Sequence, residues 1–525
     1  MSRLPMGIYD DLDNQTQPVF YIDPVSTNIL IFGDHATGKT SFLKTLLIRM
    51  HECIDPSRQT DIHIADFGGN LGMYEDLCQV SACFSSANEE NIRRIFKALD
   101  KKISNNAVIL RSRRFLDVFN SDAEEKPVHL VLVVDNVNAF LADERYEIYH
   151  EELLAYCRDG LAKGLTVIFT ATDISGGLGR FMGSFGSKFA FSISQDKYVE
   201  IFGSKVFEHM SNPGRGVSVI GGKLREFQAF LPFAEEETQL KEFIEMTGQI
   251  PVKTEKMRVF DRNLTLDNYD KYVSSAYVEG ENEDNISVGL DYYEHMPINI
   301  NLNTVRSVAI YGKKGFGKTN LLRVMINAIR TKHPDYSFVF FDDGREQLKE
   351  FYDESRPDDK YFIEMQDMVD FVTENGYYRT SKEKAKVVTR PPTVFVLQNK
   401  NMFNTKGEIL MKQKIPEIIG SAEDSRCWVI LAHMKKFFGA FARETEIAVN
   451  NSLFGVFLLD NIAEFAAERG TGSVFGEMDV KELKAQYARC ELGDGYLYNV
   501  ESDDLQKLKF IKLDKDKDKD GSKRN

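Results

Sequence analysis

Two stretches, 33-GDHATGKT-40 and 312-GKKGFGKT-319, decide how the rest of this 525-residue chain is read. Both fit GxxxxGK[ST], and they start 279 residues apart. In such a loop the glycines let the backbone wrap a polyphosphate, and successive N–H groups converge at a helix N-terminus. The lysine neutralises the outer phosphates and the last hydroxyl holds Mg²⁺. The residue types therefore assign nucleotide contacts to Gly33, Thr37, Gly38, Lys39, Thr40 and Ser41. In the second loop they fall to Gly312, Gly315, Phe316, Gly317, Lys318, Thr319 and Asn320, with Thr40 and Thr319 as the metal-side hydroxyls.

The flanks support both loops. NILIFGD and SVAIYGK are strand-like runs before them, while SFLKTLLIRM and NLLRVMINAI continue with helical apolar spacing toward Pro56 and Pro334. Further pairs follow in the same order. QPVFYID matches MPININ upstream; DIHIADFGGNL matches YSFVFFDDGREQL; HLVLVVDN matches TVFVLQNK; LTVIFTATD matches CWVILAHMK. NPGRGVSV with EFQAFLP pairs with LGDGYLYN and KLKFIKL, predicting a closing β-ribbon in each half. Strands alternating with helices predict an α/β fold: two tandem P-loop domains, each a mainly parallel sheet flanked by helices.

The boundaries expected from composition are 1–249 for the first domain, 250–283 for a linker and lead-in, 284–513 for the second domain and 514–525 for a charged, disordered tail. AEEETQLKEFIEMTGQ reads as an acidic amphipathic helix closing the first domain. With 42% hydrophobic and 28% charged residues, the chain has the composition of globular material. A net charge of -14 argues against a broad nucleic-acid-binding face. Six cysteines without a CxxC read as reduced thiols of an intracellular protein, and no apolar run approaches the ~18 residues of a spanning helix.

The two halves diverge at one strand end. In the first, the apolar run stops at Asp135–Asn136, where an aspartate would act as the outer-shell ligand of Mg²⁺, the Walker B acid. In the second, Gln398 and Asn399 stand there. An amide hydrogen-bonds a water but carries no charge, so the second site is expected to bind nucleotide and turn it over poorly. Asn136 follows Asp135 where many motors place a water-polarising glutamate, and it reads equally as a turn residue. Asp66 and Asp342, at neighbouring strand ends, are candidates for a compensating carboxylate or simple turn formers. Thr172 and His433 stand where a side chain reaches a γ-phosphate, or are ordinary strand-end residues. Arg215 in NPGRG reads as a turn residue in preference to an arginine finger.

Together, tandem GxxxxGKT loops, ADFGG after the first loop helix, VLVVDN, NPGRG followed by EFQ, and LGDGYL in the second half resemble the FtsK/SpoIIIE group of RecA-like ATPases. More narrowly, they resemble the two C-terminal ATPase domains of the EssC (EccC-like) coupling proteins of type VII secretion, over nearly the full chain. The resemblance implies ATP with Mg²⁺ and a place on the cytoplasmic face of the cell membrane, as an excised part of a membrane-anchored motor. It implies hexameric assembly in the full machine, with an upstream ATPase domain and membrane secretion components. The implied substrates are WXG-type helical-hairpin proteins, engaged through a C-terminal export signal. A non-hydrolysing ATP-binding scaffold for substrate docking and a DNA translocase are the competing functions.

Overall fold

The computed structural model describes residues 3–206, 212–252, 254–260, 263–274, 284–305, 307–312, 314–377, 391–399, 427–432, 455–459, 491–499 and 504–513. They form two compact units, 1–259 and 260–525.

In the first unit the strands are β1 (Leu4–Tyr9), β2 (Val19–Ile22), β3 (Ile29–Phe32), β4 (Thr60–Asp66), β5 (Val80–Ser85), β6 (His129–Asp135), β7 (Leu165–Ala171), β8 (Ser187–Ala190), β9 (Arg215–Ile220) and β10 (Lys223–Ala229). They form one sheet in the order β2-β1-β10-β9-β8-β3-β7-β6-β4-β5. From β8 to β5 every pairing is parallel. Every residue of β3, β4, β6 and β7 is buried, the signature of strands covered on both faces. The antiparallel ribbon beyond β8 is different: β2 alternates, with Phe20 and Ile22 inward and Val19 and Tyr21 exposed.

Helices cover both faces of this sheet. On one, α1 (Lys39–Glu52) and α7 (Glu236–Thr247, the expected acidic helix) bury Phe42, Leu46, Leu240 and Phe243. The other carries α2 (Glu89–Leu110), α4 (Val137–Ala142) and α5 (His150–Asp159), with Phe96, Phe140 and Leu153 in the core. Short α3 (Phe115–Phe119) and α6 (Gln195–Phe202) complete the unit.

The second unit repeats the plan. Its strands are β11 (Leu264–Thr265), β12 (Asn285–Asp291), β13 (Pro297–Asn301), β14 (Ser307–Gly312), β15 (Ser337–Phe341), β16 (Lys360–Phe362), β17 (Thr393–Leu397), β18 (Cys427–Ala432), β19 (Gly455–Leu459), β20 (Asp494–Asn499) and β21 (Asp504–Lys512), with α8 (Tyr269–Tyr272), α9 (Lys318–Lys332) and α10 (Met365–Glu374). The order β13-β12-β21-β20-β19-β14-β18-β17-β15-β16 matches the first sheet strand for strand, and β11 adds to β21. Every strand pair matched in the sequence thus occupies equivalent places, including the closing ribbons β9–β10 and β20–β21.

The stretch 250–283, expected as a linker, is shared between the units. Residues 254–258 lie on the first: Thr254 Oγ1 donates to Asp61 Oδ1 (2.8 Å), Met257 N to Ser81 O (2.7 Å), and Arg94 to Arg258 O (2.7 Å). Residues 264–272 lie on the second, through β11 and through Tyr272 O, which bonds the His295 ring at 3.1 Å. The tail 514–525, His433 and Cys490 lie outside the described residues.

Candidate functional site: two phosphate-type loops with unlike strand ends

In each unit the glycine-rich loop joins the central parallel strand to its first long helix, at the carboxyl ends of the strands where α/β sheets place ligands. In the first unit Gly33 N donates to Ala171 O (3.2 Å) and Asp34 N to Ser192 O (2.9 Å), so the loop is held by the strands on either side. Thr37 Oγ1 closes it by donating to Asp34 O (2.9 Å). A side chain on Gly33 would begin 2.5 Å from that hydroxyl and displace it. Gly38 caps α1 at φ 110°, a left-handed conformation that glycine adopts without strain. The NPGRG turn buttresses the loop, with Gly214 N donating to Thr37 O (3.0 Å).

Lys39 folds back over the loop: its ammonium bonds Gly33 O and, at 3.3 Å, Asp34 O. Burial holds its pKa below the usual lysine value, against the pull of Asp135 and Asp34. Thr40 and Ser41 follow, half-buried, in the first turn of α1.

Asp135 ends β6 almost fully buried. Its Oδ1 accepts from Thr170 Oγ1 at 2.6 Å. Burial raises its pKa, Thr170 opposes the rise, neighbouring Asp66 adds to it and Lys39 reduces it. Its Oδ2 lies where a Cβ on Gly68 would come within 2.0 Å, so the glycine after Phe67 makes room for this carboxylate.

Asp66 stands beside Asp135 in register but is committed to the loop. Oδ1 accepts from Gly69 N (2.6 Å) and Oδ2 from Leu71 N (2.8 Å), which makes it a turn clamp, not a free base. Asn136 sits left-handed at φ 58° as the cap of α4, and its N–H is taken by Thr170 Oγ1 (2.7 Å). Thr172 is bound to Asn138 Oδ1, through its N–H at 2.9 Å and its hydroxyl at 3.4 Å. Arg215 is paired at home with Asp10 (2.8 Å) and Glu226 (2.7 Å), the geometry of a turn tether.

The second loop is built alike. Gly315 and Gly317 are left-handed at φ 90° and 102°, Gly317 caps α9, and buried Lys318 Nζ donates to Gly312 O at 2.6 Å. Phe316 packs against the core and Thr319 is half-buried in the first helical turn. Asn320 departs from its expected role. Its side-chain amide donates to Ile511 O (2.7 Å) and accepts from Leu513 N (3.0 Å), so the side chain anchors the end of β21.

Asp342 repeats Asp66: Oδ1 accepts from Asp343 N, and Oδ2 from Leu348 N and the Tyr361 hydroxyl. Gln398 follows Leu397, the partner of Phe341, and so takes the place of Asp135. Its Nε2 donates to Gln347 Oε1 (2.8 Å), while its Oε1 is buried with no partner. Asn399 Nδ2 is used up on Asp342 O and Ile363 O. By the β17–β18 register, Ala432 stands where the first unit has Thr170, so the hydroxyl is missing as well as the acid.

Thr170, Gly68 and Ala432 were passed over in the sequence. A register argument finds Thr170, because a polar residue at the end of an apolar strand next to a Walker B strand faces its acid. Gly68 is visible only as half of a Gly-Gly pair whose other half, Gly69, is left-handed at φ 72°.

Both loops suit a bound Mg²⁺ nucleotide: each is a glycine-rich turn at a helix N-terminus with a lysine bonded back to a carbonyl of its own loop. The second unit adds an orphaned buried oxygen, Gln398 Oε1, able to accept from a hydrated ion. Among the described residues no helix is long and apolar enough to cross a membrane.

No protein-family model matches the sequence. The chain is 23% identical over 448 residues to the ESX secretion system protein EccC of Geobacillus thermodenitrificans, which covers 80% of this chain and 29% of that protein. It is 20% identical over 532 residues to the type VII secretion system protein EssC of Staphylococcus aureus, covering 97% of this chain and 34% of that protein. The chain therefore spans about a third of the length of these relatives. Among solved structures, EssC ATPases 2 and 3 from Geobacillus thermodenitrificans superpose with a TM-score of 0.74 at 21% identity, covering 98% of this chain and 97% of that one. Thermomonospora curvata EccC ATPases 2 and 3, in complex with a signal sequence peptide, give 0.64 at 16%, covering 98% and 93%. The resemblance to EssC/EccC secretion ATPases holds in sequence, and the fold is that of their tandem ATPase domains.

Proposed function

We propose that this chain is the pair of C-terminal ATPase modules of a type VII secretion motor, binding ATP with Mg²⁺ at both loops and turning it over, slowly, only at the first. The observation that carries the division of labour is the acid-to-amide change from Asp135 to Gln398 within otherwise matching sites. Lys39, Thr40 and Asp135 would hold the first Mg²⁺ nucleotide; Lys318, Thr319 and Gln398 would hold the second. The bound metal supplies charge stabilisation at the transferring phosphate. For its part the chain buries Asp135, orients that carboxylate with Thr170, and keeps both lysines beside the loops.

The secretion context rests on the likeness to EssC and EccC across the tandem layout. From it come engagement of WXG-type hairpin substrates through a C-terminal export signal, hexameric assembly with an upstream ATPase domain, and a site of action at the cytoplasmic face of the membrane. The signal-peptide complex of Thermomonospora curvata EccC supports peptide engagement by this domain pair.

The test is ATP binding stoichiometry and turnover of wild type, Lys39→Ala and Lys318→Ala in parallel. Each variant loses one of two bound equivalents. Turnover falls at least about 100-fold in Lys39→Ala and far less in Lys318→Ala. The reverse pattern overturns the assignment, and binding without turnover in any form makes the chain a nucleotide-stapled docking platform.

A further inference from the structure

The first loop carries a charge that an anion site does not ask for. Asp34, its second residue, is a half-exposed carboxylate within the cradle. Like charges a few ångströms apart repel at a protein surface, so an acid there works against a polyphosphate. In the second loop the corresponding residue is Lys313, and no such conflict exists in the sequence.

One side chain answers Asp34. The segment after β8 is strapped to the loop, since Phe191 N donates to Phe32 O (2.9 Å) and Asp34 N to Ser192 O (2.9 Å). In the first turn of the helix that follows, Lys197 places its ammonium 3.5 Å from Asp34 Oδ1 and 3.2 Å from Thr172 O. It is close enough to Lys39 to push that lysine's pKa down, secondary to burial. A 3.5 Å pair this exposed contributes little to stability, so folding alone gives a weak reason for its position. A cation held by one carboxylate and one carbonyl at the mouth of an anion loop is poised to change partners.

We infer that Lys197 is a second cationic arm of the first nucleotide site: it masks Asp34 when the loop is empty and moves to the terminal phosphate of a bound nucleoside triphosphate. Its counterpart in chemistry, though not in position, is the lysine of the loop itself. The inference rests on the nucleotide reading of the first loop. It also gives Thr172 a part, as the strand-end carbonyl that parks the arm.

The experiment uses the full chain with Lys318→Ala to silence the second loop, and measures Kd for ATP and for ADP with Mg²⁺. Replacing Lys197 by Met weakens ATP about tenfold and ADP less than about twofold, and Lys197→Arg restores most of the ATP preference. Equal losses for both nucleotides, or none, overturn the inference while leaving the site reading intact. A Lys318→Ala chain that binds neither nucleotide overturns both. Melting temperatures of the two Lys197 variants guard against a folding artefact: a drop in Lys197→Met matched by equal ATP and ADP losses marks a merely structural lysine.

Discussion

The two units share strand order, loop geometry and a lysine bonded back onto its loop, yet they treat two acids differently. Asp66 and Asp342 both clamp the backbone that follows their strands, through two N–H groups each. Asp135 has no such duty: it bonds one hydroxyl, and its place in the second unit is taken by Gln398. The acid present in both units is the one that holds the fold, and the acid present in one is the one we propose for chemistry. Loss at the second site is also coordinated, since the hydroxyl that orients Asp135 becomes Ala432 and the glycine that makes room for it loses that task. A Cβ on Gly344 would meet only Ile363, at 3.5 Å, where one on Gly68 meets Asp135 at 2.0 Å.

The largest expected effect breaks the comparison at its centre. Asp135→Asn makes the first unit resemble the second, and turnover drops about 10²–10³-fold while ATP binding persists. Because burial raises the Asp135 pKa, the folded state pays to ionise it, and that stability is lost as pH rises above the ordinary carboxylate range. The same variant is therefore more heat-stable than wild type at pH 7 without nucleotide. The reciprocal Gln398→Asp adds no turnover alone, because Ala432 offers the new acid no hydroxyl. Paired with Ala432→Thr it is the stricter test, and turnover gained by the single variant would show that the hydroxyl is dispensable.

A middle-sized effect sharpens the role of room. Gly68→Ala displaces the Asp135 carboxylate from Thr170, lowering turnover about tenfold and costing about 1–3 kcal/mol in denaturant melts. Unchanged turnover would mean that the carboxylate position does not matter, and the distinction between the units would then rest on charge alone.

Much of this was legible beforehand because buried parallel strands read as unbroken apolar runs. HLVLVVD and TVFVL could hardly be anything else, and a loop of fixed glycines marks the central strand in each half. The amide at 398 was equally plain. What escaped notice depends on neighbours brought in from elsewhere in the chain. Asn320 follows the loop lysine and threonine and reads as a phosphate residue, but a strand end nearly two hundred residues later claims its amide. Lys197 lies in an unremarkable helix start, and only the strap between β3 and the end of β8 carries it to the loop. Stretch 250–283 has a linker's composition, yet Thr254 and Met257 find partners on β4 and β5.

The smallest effect separates the units by pH. In the second unit two buried acids face cations, Asp359 meeting Arg330 at 2.8 Å and Asp494 meeting Lys509 at 2.6 Å, as buried Asp61 meets Lys102 at 2.6 Å in the first. In the first, Tyr156 Oη lies 2.7 Å from Asp100 Oδ1 and 2.5 Å from Glu152 Oε1, joining α2 to α5. A phenol has one proton to give, so two ionised carboxylates cannot both be satisfied. Burial, with Asp100 adding to it, pushes the Glu152 pKa up to about 7. The folded state therefore keeps a proton that the unfolded chain releases near pH 4.5, and stability falls as pH rises from about 4.5 through about 7. Glu152→Gln keeps an acceptor for Tyr156 and removes the charge. It should gain about 1 kcal/mol at pH 8, after allowance for partial solvent exposure, and nothing at pH 4. The gain should appear only in the melting of the first unit, followed by hydrogen exchange of α2 and α5. A gain that persists at pH 4 would assign it to packing and leave the paired acids without a role in pH response.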